Sequence, residues 1–238
     1  CGRWAEGDRV SRVVLVTGGS RGIGLACAQR FHALGDHVAV TYNSSPPPAG
    51  LVGVKCDVTS AESVDAAFKA VEEQFGPVEV LVSNAGITND GLLLRMSEAD
   101  FTSVIAANLT AAYRVTKRAA QGMLRARKGR IVLMSSVVGL SGSAGQANYA
   151  ASKAGLVGLA RSVAREGSRR PAPANGAAGE GAISARGDGA GVVTAVGDGE
   201  GAGVSARRHP AVSTAPSTTI TANRAFIGAY LIVRGIAR

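Results

Sequence analysis

A chain of 238 residues, 46% of them apolar, is long enough to bury one sizeable core and reads as a single α/β domain. The formal charge of +9 would suit a nucleic-acid partner, but only 18% of residues are charged, Lys and Arg are scattered, and no recognition motif accompanies them, so no nucleic acid is expected. Cys1, Cys27 and Cys56 form neither a disulfide framework nor a zinc site, His32, His37 and His209 share no ligand spacing, and no apolar run approaches the roughly 20 residues of a membrane span, so the expectation is a metal-free cytoplasmic protein away from membranes.

The chain opens on Cys1 rather than Met and has no apolar signal core, so residues 1–11 read as a truncated lead-in. Val13 to Val16 has the length and β-branching of a buried strand. Thr17-Gly18-Gly19-Ser20-Arg21-Gly22-Ile23-Gly24 follows it and opens a helix running to about Leu34. A glycine turn between strand and helix is where a dinucleotide pyrophosphate binds. Gly18 allows the tight turn, Gly22 the approach of backbone to phosphate and Gly24 the packing of helix on strand, while the helix N-terminus offers N–H donors.

Further strands are expected at Val38 to Val40, Leu51 to Val54, Val78 to Val82 and Ile131 to Met134, with Pro46-Pro47-Pro48 in a surface loop between the second and third. Residues 61–75 space Val64, Ala67, Phe68, Val71 and Phe75 as one helix face; Thr59 or Ser60 can cap that helix and Gly76-Pro77 ends it. This βαβ rhythm predicts a Rossmann-type doubly wound parallel sheet over residues 12–166.

Tyr149 and Lys153 stand four apart in Tyr149-Ala150-Ala151-Ser152-Lys153, one turn apart on a single helix face, and Ser136 follows the apolar strand ending at Met134. Reduction of a carbonyl by hydride needs a proton donor and a second hydrogen-bond donor at the developing alkoxide, roles that suit Tyr149 and Ser136. A nearby ammonium, that of Lys153, favours the phenolate form of a phenol whose ordinary pKa is about 10. Each residue alone has a plainer reading: a packed aromatic, a solvated charge, a strand-end cap.

The glycine spacing resembles the T-G-x-x-x-G-x-G of the short-chain dehydrogenase/reductase family, and several other strings match that family in order. Cys56-Asp57-Val58 resembles the segment whose Asp side chain and following backbone contact adenine, and Asn84-Ala85-Gly86 the one beside the cofactor. Asn108 matches an Asn that orders a water in the proton relay, and the resemblance assigns Lys153 also to the nicotinamide ribose. Ser20 and Ile23 fall within the matched turn. Thr41-Tyr42-Asn43 stands where NAD-specific members carry an acid, so nothing there repels a 2′-phosphate, and Arg21 is a plausible cation for it; NADP(H) is therefore the expected cofactor.

The strings Leu81 to Gly86, Asp90 to Met96, Ser136 to Gly139 and Gly145 to Gly155 are most similar to bacterial, especially actinobacterial, 3-oxoacyl-[acyl-carrier-protein] reductases. That resemblance implies NADPH-dependent reduction of a 3-oxoacyl group to its (R)-3-hydroxyacyl form in fatty-acid elongation, a homotetramer, and an acidic acyl carrier protein as partner. Arg127, within the basic turn Arg125, Arg127, Lys128 and Arg130, matches a carrier-contact position, although such a turn is ordinarily just solvated.

After Glu166 the pattern changes. Residues 167–238 hold no Lys, Gly, Ala and Arg dominate 167–219, and the Pro-Gly that ends the family's next strand is absent, a composition that a shifted reading frame in a GC-rich gene produces. Only the apolar run 226–233 echoes a last strand. Two other functions stay open on these residues: reduction of a different carbonyl, and a catalytically impaired cofactor-binding or interaction protein.

Overall fold

In the computed structural model, residues 11–167 and the backbone of 230–234 are described. The strands are β1 (Val13–Val16), β2 (His37–Tyr42), β3 (Val52–Lys55), β4 (Val80–Ser83), β5 (Arg130–Met134) and β6 (Tyr230–Arg234). The helices are α1 (Gly22–Ala33), α2 (Ala61–Phe75), α3 (Glu98–Ile105), α4 (Ala111–Ala126), α5 (Val138–Ser141) and α6 (Ala147–Gly167), with a π-helical turn at Ala106–Thr110 between α3 and α4.

The sheet order is β3-β2-β1-β4-β5-β6, and the first five strands are parallel. This is the expected doubly wound arrangement, with strand boundaries moved by one or two residues at several ends. Strand alternation sorts the core into two layers. Val13, Leu15, Ala39, Leu81, Ile131 and Leu133 pack on the face covered by α2, α4 and α6, together with Phe68, Val71, Val115, Met123 and Ala160. Val14, Val16, Val38, Val40, Val80 and Val82 point the other way, toward Ala28, Ile23 and Phe31 of α1. β1 and β4 are thus buried at every position because both faces are covered, whereas β3 at the sheet edge leaves Gly53 and Lys55 exposed.

Ion pairs at the periphery fix the elements to one another. Arg12, just before β1, grips the fully buried carboxylate of Asp36 at 2.6 Å, and Arg118 of α4 reaches both Asp65 (2.9 Å) and Glu72 (2.6 Å) of α2. Helix α2 begins at Ser60, whose hydroxyl accepts the Ser63 N–H, and ends at Gly76, φ +91°, as its sequence indicates.

The parallel sheet expected over 12–166 is present, and a further strand, Tyr230–Arg234, overlaps the last apolar run and joins β5 antiparallel. An antiparallel strand can occupy the open edge of β5 without the right-handed crossover that a parallel one requires. The remainder of the atypical segment, 168–229 and 235–238, and residues 1–10 of the lead-in lie outside the described residues.

Candidate active site

The sheet reverses its winding direction between β1 and β4, and the loops after these two strands face each other across the resulting crevice. Asn84 binds them together. Its side-chain amide donates to the carbonyls of Thr17 (3.1 Å) and Gly18 (3.0 Å), while the Thr17 hydroxyl accepts the N–H groups of Asn84 (3.0 Å) and Ala85 (3.1 Å). A Cβ on Gly24 would lie 2.5 Å from both the Asn84 amide nitrogen and the Gly18 oxygen, so only glycine lets α1 start this close to both loops. Gly18 has φ +63° and its Cβ position abuts Ala85, and Thr41 of β2 supports the turn by accepting the Gly18 N–H at 3.2 Å.

The same cradle fits a dinucleotide pyrophosphate. Gly22 has φ +58° and open space where a Cβ would project; α1 has no acidic residue in its first turn, and Arg21 before it makes no side-chain cap, so the first N–H groups of the helix are available to an anion. Ser20 and Ile23 are half-buried within the turn, and Arg21 and Asn43 are exposed at the same end of the sheet. Asp57 follows β3. Its Oδ1 accepts from the N–H and hydroxyl of Thr59 (2.8 and 2.7 Å), bonds that hold the carboxyl below its usual pKa, with a smaller effect from the Arg114 charge. Asp57 therefore shapes its own turn, while Ser60 caps α2, and Val58 lies half-buried beside it.

The second half of the crevice is built by α6 and the π turn. Lys153 is buried at 6% exposure; its Nζ donates to the Met134 carbonyl at 2.7 Å and lies 5.6 Å from the Tyr149 ring centroid. Burial lowers its pKa to about 8. Ser135 donates to the Lys153 carbonyl at 2.8 Å, and a Cβ on Gly139 would meet the Ala154 nitrogen at 2.8 Å; these contacts press the segment carrying Ser136 against α6. The Ser136 hydroxyl oxygen accepts the Val138 N–H at 3.3 Å, leaving its own proton to give.

Asn108 sits in the π turn, 1% exposed. Its Oδ1 accepts the Ile87 N–H (2.8 Å), and its Nδ2 donates to the Ile87 carbonyl (3.0 Å) and to the Ser152 hydroxyl (3.1 Å). Both amide protons are therefore committed, and a second lone pair on Oδ1 is what it retains for a water. A Cβ on Gly86 would lie 2.9 Å from Asn108 Oδ1 and 3.8 Å from Lys153 Nζ, so the loop after β4 passes directly over this pair.

Asn84, Ala85, Gly86, Asn108, Tyr149 and Lys153 thus converge, with Ser136 on the neighbouring loop. Arg127 does not join them. It ends α4 with φ +51° and is exposed ahead of β5, at the opposite end of that strand from Ser136. Sequence reasoning missed the work of Thr17, Ser135, Ser152 and Asn148, short polar side chains whose partners are mostly remote in the chain; the only signal was that Thr17, Ser152 and Asn148 lie inside the matched strings and Ser135 directly before one. Among the described residues there is no group of three or more His, Cys, Asp or Glu arranged for a metal ion, and no helix long and apolar enough to cross a membrane.

Comparison with known proteins places these residues in context. Residues 12–178 match the short chain dehydrogenase family. Over 166 residues, 70% of this chain, the sequence is 60% identical to the 3-oxoacyl-[acyl-carrier-protein] reductase MabA of Mycobacterium avium and 59% identical to that of Mycobacterium tuberculosis, covering 65% and 67% of those proteins. It is 40% identical over 163 residues, 65% of this chain, to the 3-oxoacyl-[acyl-carrier-protein] reductase FabG of Escherichia coli, covering 67% of that protein. The chain therefore aligns with about two thirds of the length of the relatives it matches.

Proposed function

The chain belongs to the short-chain dehydrogenase family, and from that premise we propose that it reduces a 3-oxoacyl thioester carried on an acyl carrier protein to the (R)-3-hydroxyacyl thioester, using NADPH. The observation that carries the reaction type is the meeting of Tyr149, Lys153, Asn108 and Gly86 at the mouth of the glycine cradle. NADPH, when bound, supplies the hydride. As negative charge grows on the keto oxygen, Tyr149 gives it the phenolic proton and Ser136 donates a hydrogen bond that holds it. Lys153 stabilises the phenolate left on Tyr149, which then regains a proton through the relay beside Asn108. The Gly18–Gly24 turn and the α1 N-terminus would hold the pyrophosphate, with Asp57 and Val58 at the adenine.

The relatives named as 3-oxoacyl-[acyl-carrier-protein] reductases support the substrate. So does the apolar character of the loops at this end of the sheet, where Ile87, Leu92 and Leu140 are 46%, 60% and 63% exposed and suit an acyl chain better than a sugar. The preference for NADPH over NADH rests on Arg21 and on the absence of an acid from Thr41 to Asn43. Exposed Phe101, Tyr113 and Leu124 on α3 and α4 support assembly of copies into a homotetramer, and the odd, widely spaced Cys1, Cys27 and Cys56 support a reducing cytoplasm.

NADPH absorbance in the presence of an acetoacetyl thioester tests this reading, with simple ketones and NADH alongside. We expect thioester turnover, a Tyr149→Phe loss of about 10²–10⁴-fold in kcat with NADPH still bound, and an Arg21→Ala rise in KM for NADPH that NADH does not share. Ketone turnover without thioester turnover would replace the substrate, full activity in Tyr149→Phe would remove the chemistry, and NADPH binding without any turnover would leave a cofactor-binding protein.

A further inference from the structure

Resting on the function proposed above, we infer that Asn148 is the positioning residue for the proton donor: its buried side chain fastens Tyr149 and the 87–91 loop over the substrate side of the crevice into one body.

Asn148 is the second residue of α6, directly before Tyr149, and is 0% exposed. An amide buried so completely must have its donors and acceptor met from within the protein. They are met from three directions. Nδ2 donates to the Asn89 carbonyl at 2.8 Å and, more weakly, to the Asp100 carbonyl in α3 at 3.4 Å, while Oδ1 accepts the Tyr149 N–H at 2.7 Å. One side chain therefore joins the loop after β4, the helix α3 and the backbone of the proton donor.

Neighbouring contacts follow the same line. Gln146 donates to Asp90 Oδ2 at 2.9 Å, the Gly91 N–H donates to the Gly145 carbonyl at 2.8 Å, and Asn89 donates to Asp100 Oδ1 at 2.7 Å. Asp100 is itself held by a reciprocal capping box with Ser97, so α3 presents a fixed end to the loop. At the near end of the loop Asn108 grips both polar groups of Ile87 and, through Ser152, whose hydroxyl donates to the Tyr149 carbonyl at 2.7 Å, reaches the same tyrosine. The N–H of Tyr149 is thus held by Asn148 and its C=O is met by the Asn108–Ser152 pair. Asn148 is wholly buried and joins three elements, as Asn108 does at the near end of the loop, while the Gln146–Asp90 and Asn89–Asp100 ties are exposed.

This arrangement fits a catalytic need. Proton transfer demands that Tyr149 Oη meet the substrate oxygen within a few tenths of an ångström, and a displacement of about 1 Å costs on the order of 10²-fold in rate. The loop that Asn148 grips starts at Gly86, beside Lys153 and Asn108, and carries exposed Ile87, so substrate seat and proton donor are set by one common side chain.

The test compares wild type, Asn148→Ala and Asn148→Asp in the full chain. The aspartate keeps the acceptor for the Tyr149 N–H but loses both donations to Asn89 and Asp100. For both variants we expect kcat with acetoacetyl thioester to fall about 10–100-fold while the dissociation constant for NADPH changes less than threefold, and hydrogen exchange of the amides of residues 87–91 to quicken at least tenfold. Asn148→Gln, which keeps both chemistries on a longer stem, should recover part of kcat. If Asn148→Ala fails to fold, judged by loss of NADPH binding, the aspartate and glutamine variants carry the same comparison. Wild-type kcat in Asn148→Ala or Asn148→Asp, or unchanged exchange at 87–91 in them, overturns the inference, as does a parallel loss of NADPH binding and kcat in every variant, which marks a purely structural residue. Failure of the wild type to turn over any thioester overturns the proposed function instead, and the exchange measurement still reports on the clamp.

Discussion

The two halves of the crevice are assembled by different physics. The cofactor half, from β1 through β4, depends on absent atoms: a Cβ on Gly24 would collide with the Asn84 amide and the Gly18 oxygen, one on Gly18 (φ +63°) would press on Ala85 at 3.0 Å, and the strands beneath are held by apolar burial. The catalytic half, from the π turn through α6, depends on present atoms. Asn108, Asn148, Ser152 and Lys153 are buried polar groups whose hydrogen bonds hold the loops. A steric cradle is intolerant of added volume, whereas a buried polar network is intolerant of unmatched donors and acceptors and responds to pH.

That contrast can be broken most sharply at Gly24. A single added methyl, Gly24→Ala, forces apart backbone of the glycine turn and the Asn84 amide, so NADPH affinity should fall by 100-fold or more and stability by about 1–3 kcal/mol. In Gly122→Ala, where α4 has open space around the Cβ position, stability should hold or rise. Fluorescence titration with NADPH and thermal melts read both; tight binding by Gly24→Ala would mean that the cradle is looser than its contacts imply.

The polar half is sharpened by pH. Burial lowers the Lys153 pKa from 10.5 to about 8. Between those values the unfolded chain keeps a proton that the folded one has released, so stability attributable to Lys153 rises with pH across the window, by about 3 kcal/mol in order of magnitude. Below about pH 8 both states are protonated and the cost of the buried charge is present in full. The difference in denaturation free energy between wild type and Lys153→Met should show this slope. Catalysis runs the opposite way: the ammonium that supports Tyr149 is lost above about pH 8, so kcat for reduction should decline there. A flat rate profile from pH 7 to 9.5 would contradict that role.

The smallest effect is expected far from either half. Arg127→Glu should raise KM for a carrier-linked thioester severalfold relative to a coenzyme-linked one and reduce the salt sensitivity of the carrier reaction. Equal KM ratios in mutant and wild type would remove Arg127 from the docking surface.

How much was legible from residues alone differs between the halves in the same way. The strand positions, the helix at 61–75 and the glycine turn are written locally, as runs of Val and Leu, a 3.6-residue period and glycine spacing. Tyr149 and Lys153 are also local, one helical turn apart. Asn108 was identified only through a family resemblance, and Asn148 stood unremarked beside Tyr149, because an Asn in isolation has no periodicity and, the Tyr149 N–H apart, the partners of these two lie 21 to 59 residues away. The direction of β6 was not legible either, since a short apolar run carries no sign of which way it will pair.

The sequence by itself determined that strands would alternate with helices and that a turn open to phosphate would follow the first strand, because backbone sterics and side-chain period act over a few residues. Only the tertiary structure decided that Asn84 ties the glycine turn to the loop after β4, that Asn108 and Asn148 hold Tyr149 from two sides, and that Arg127 faces away from them. Those are matters of which distant polar groups meet once the apolar layers have closed. Burial then removes the water that would otherwise satisfy them.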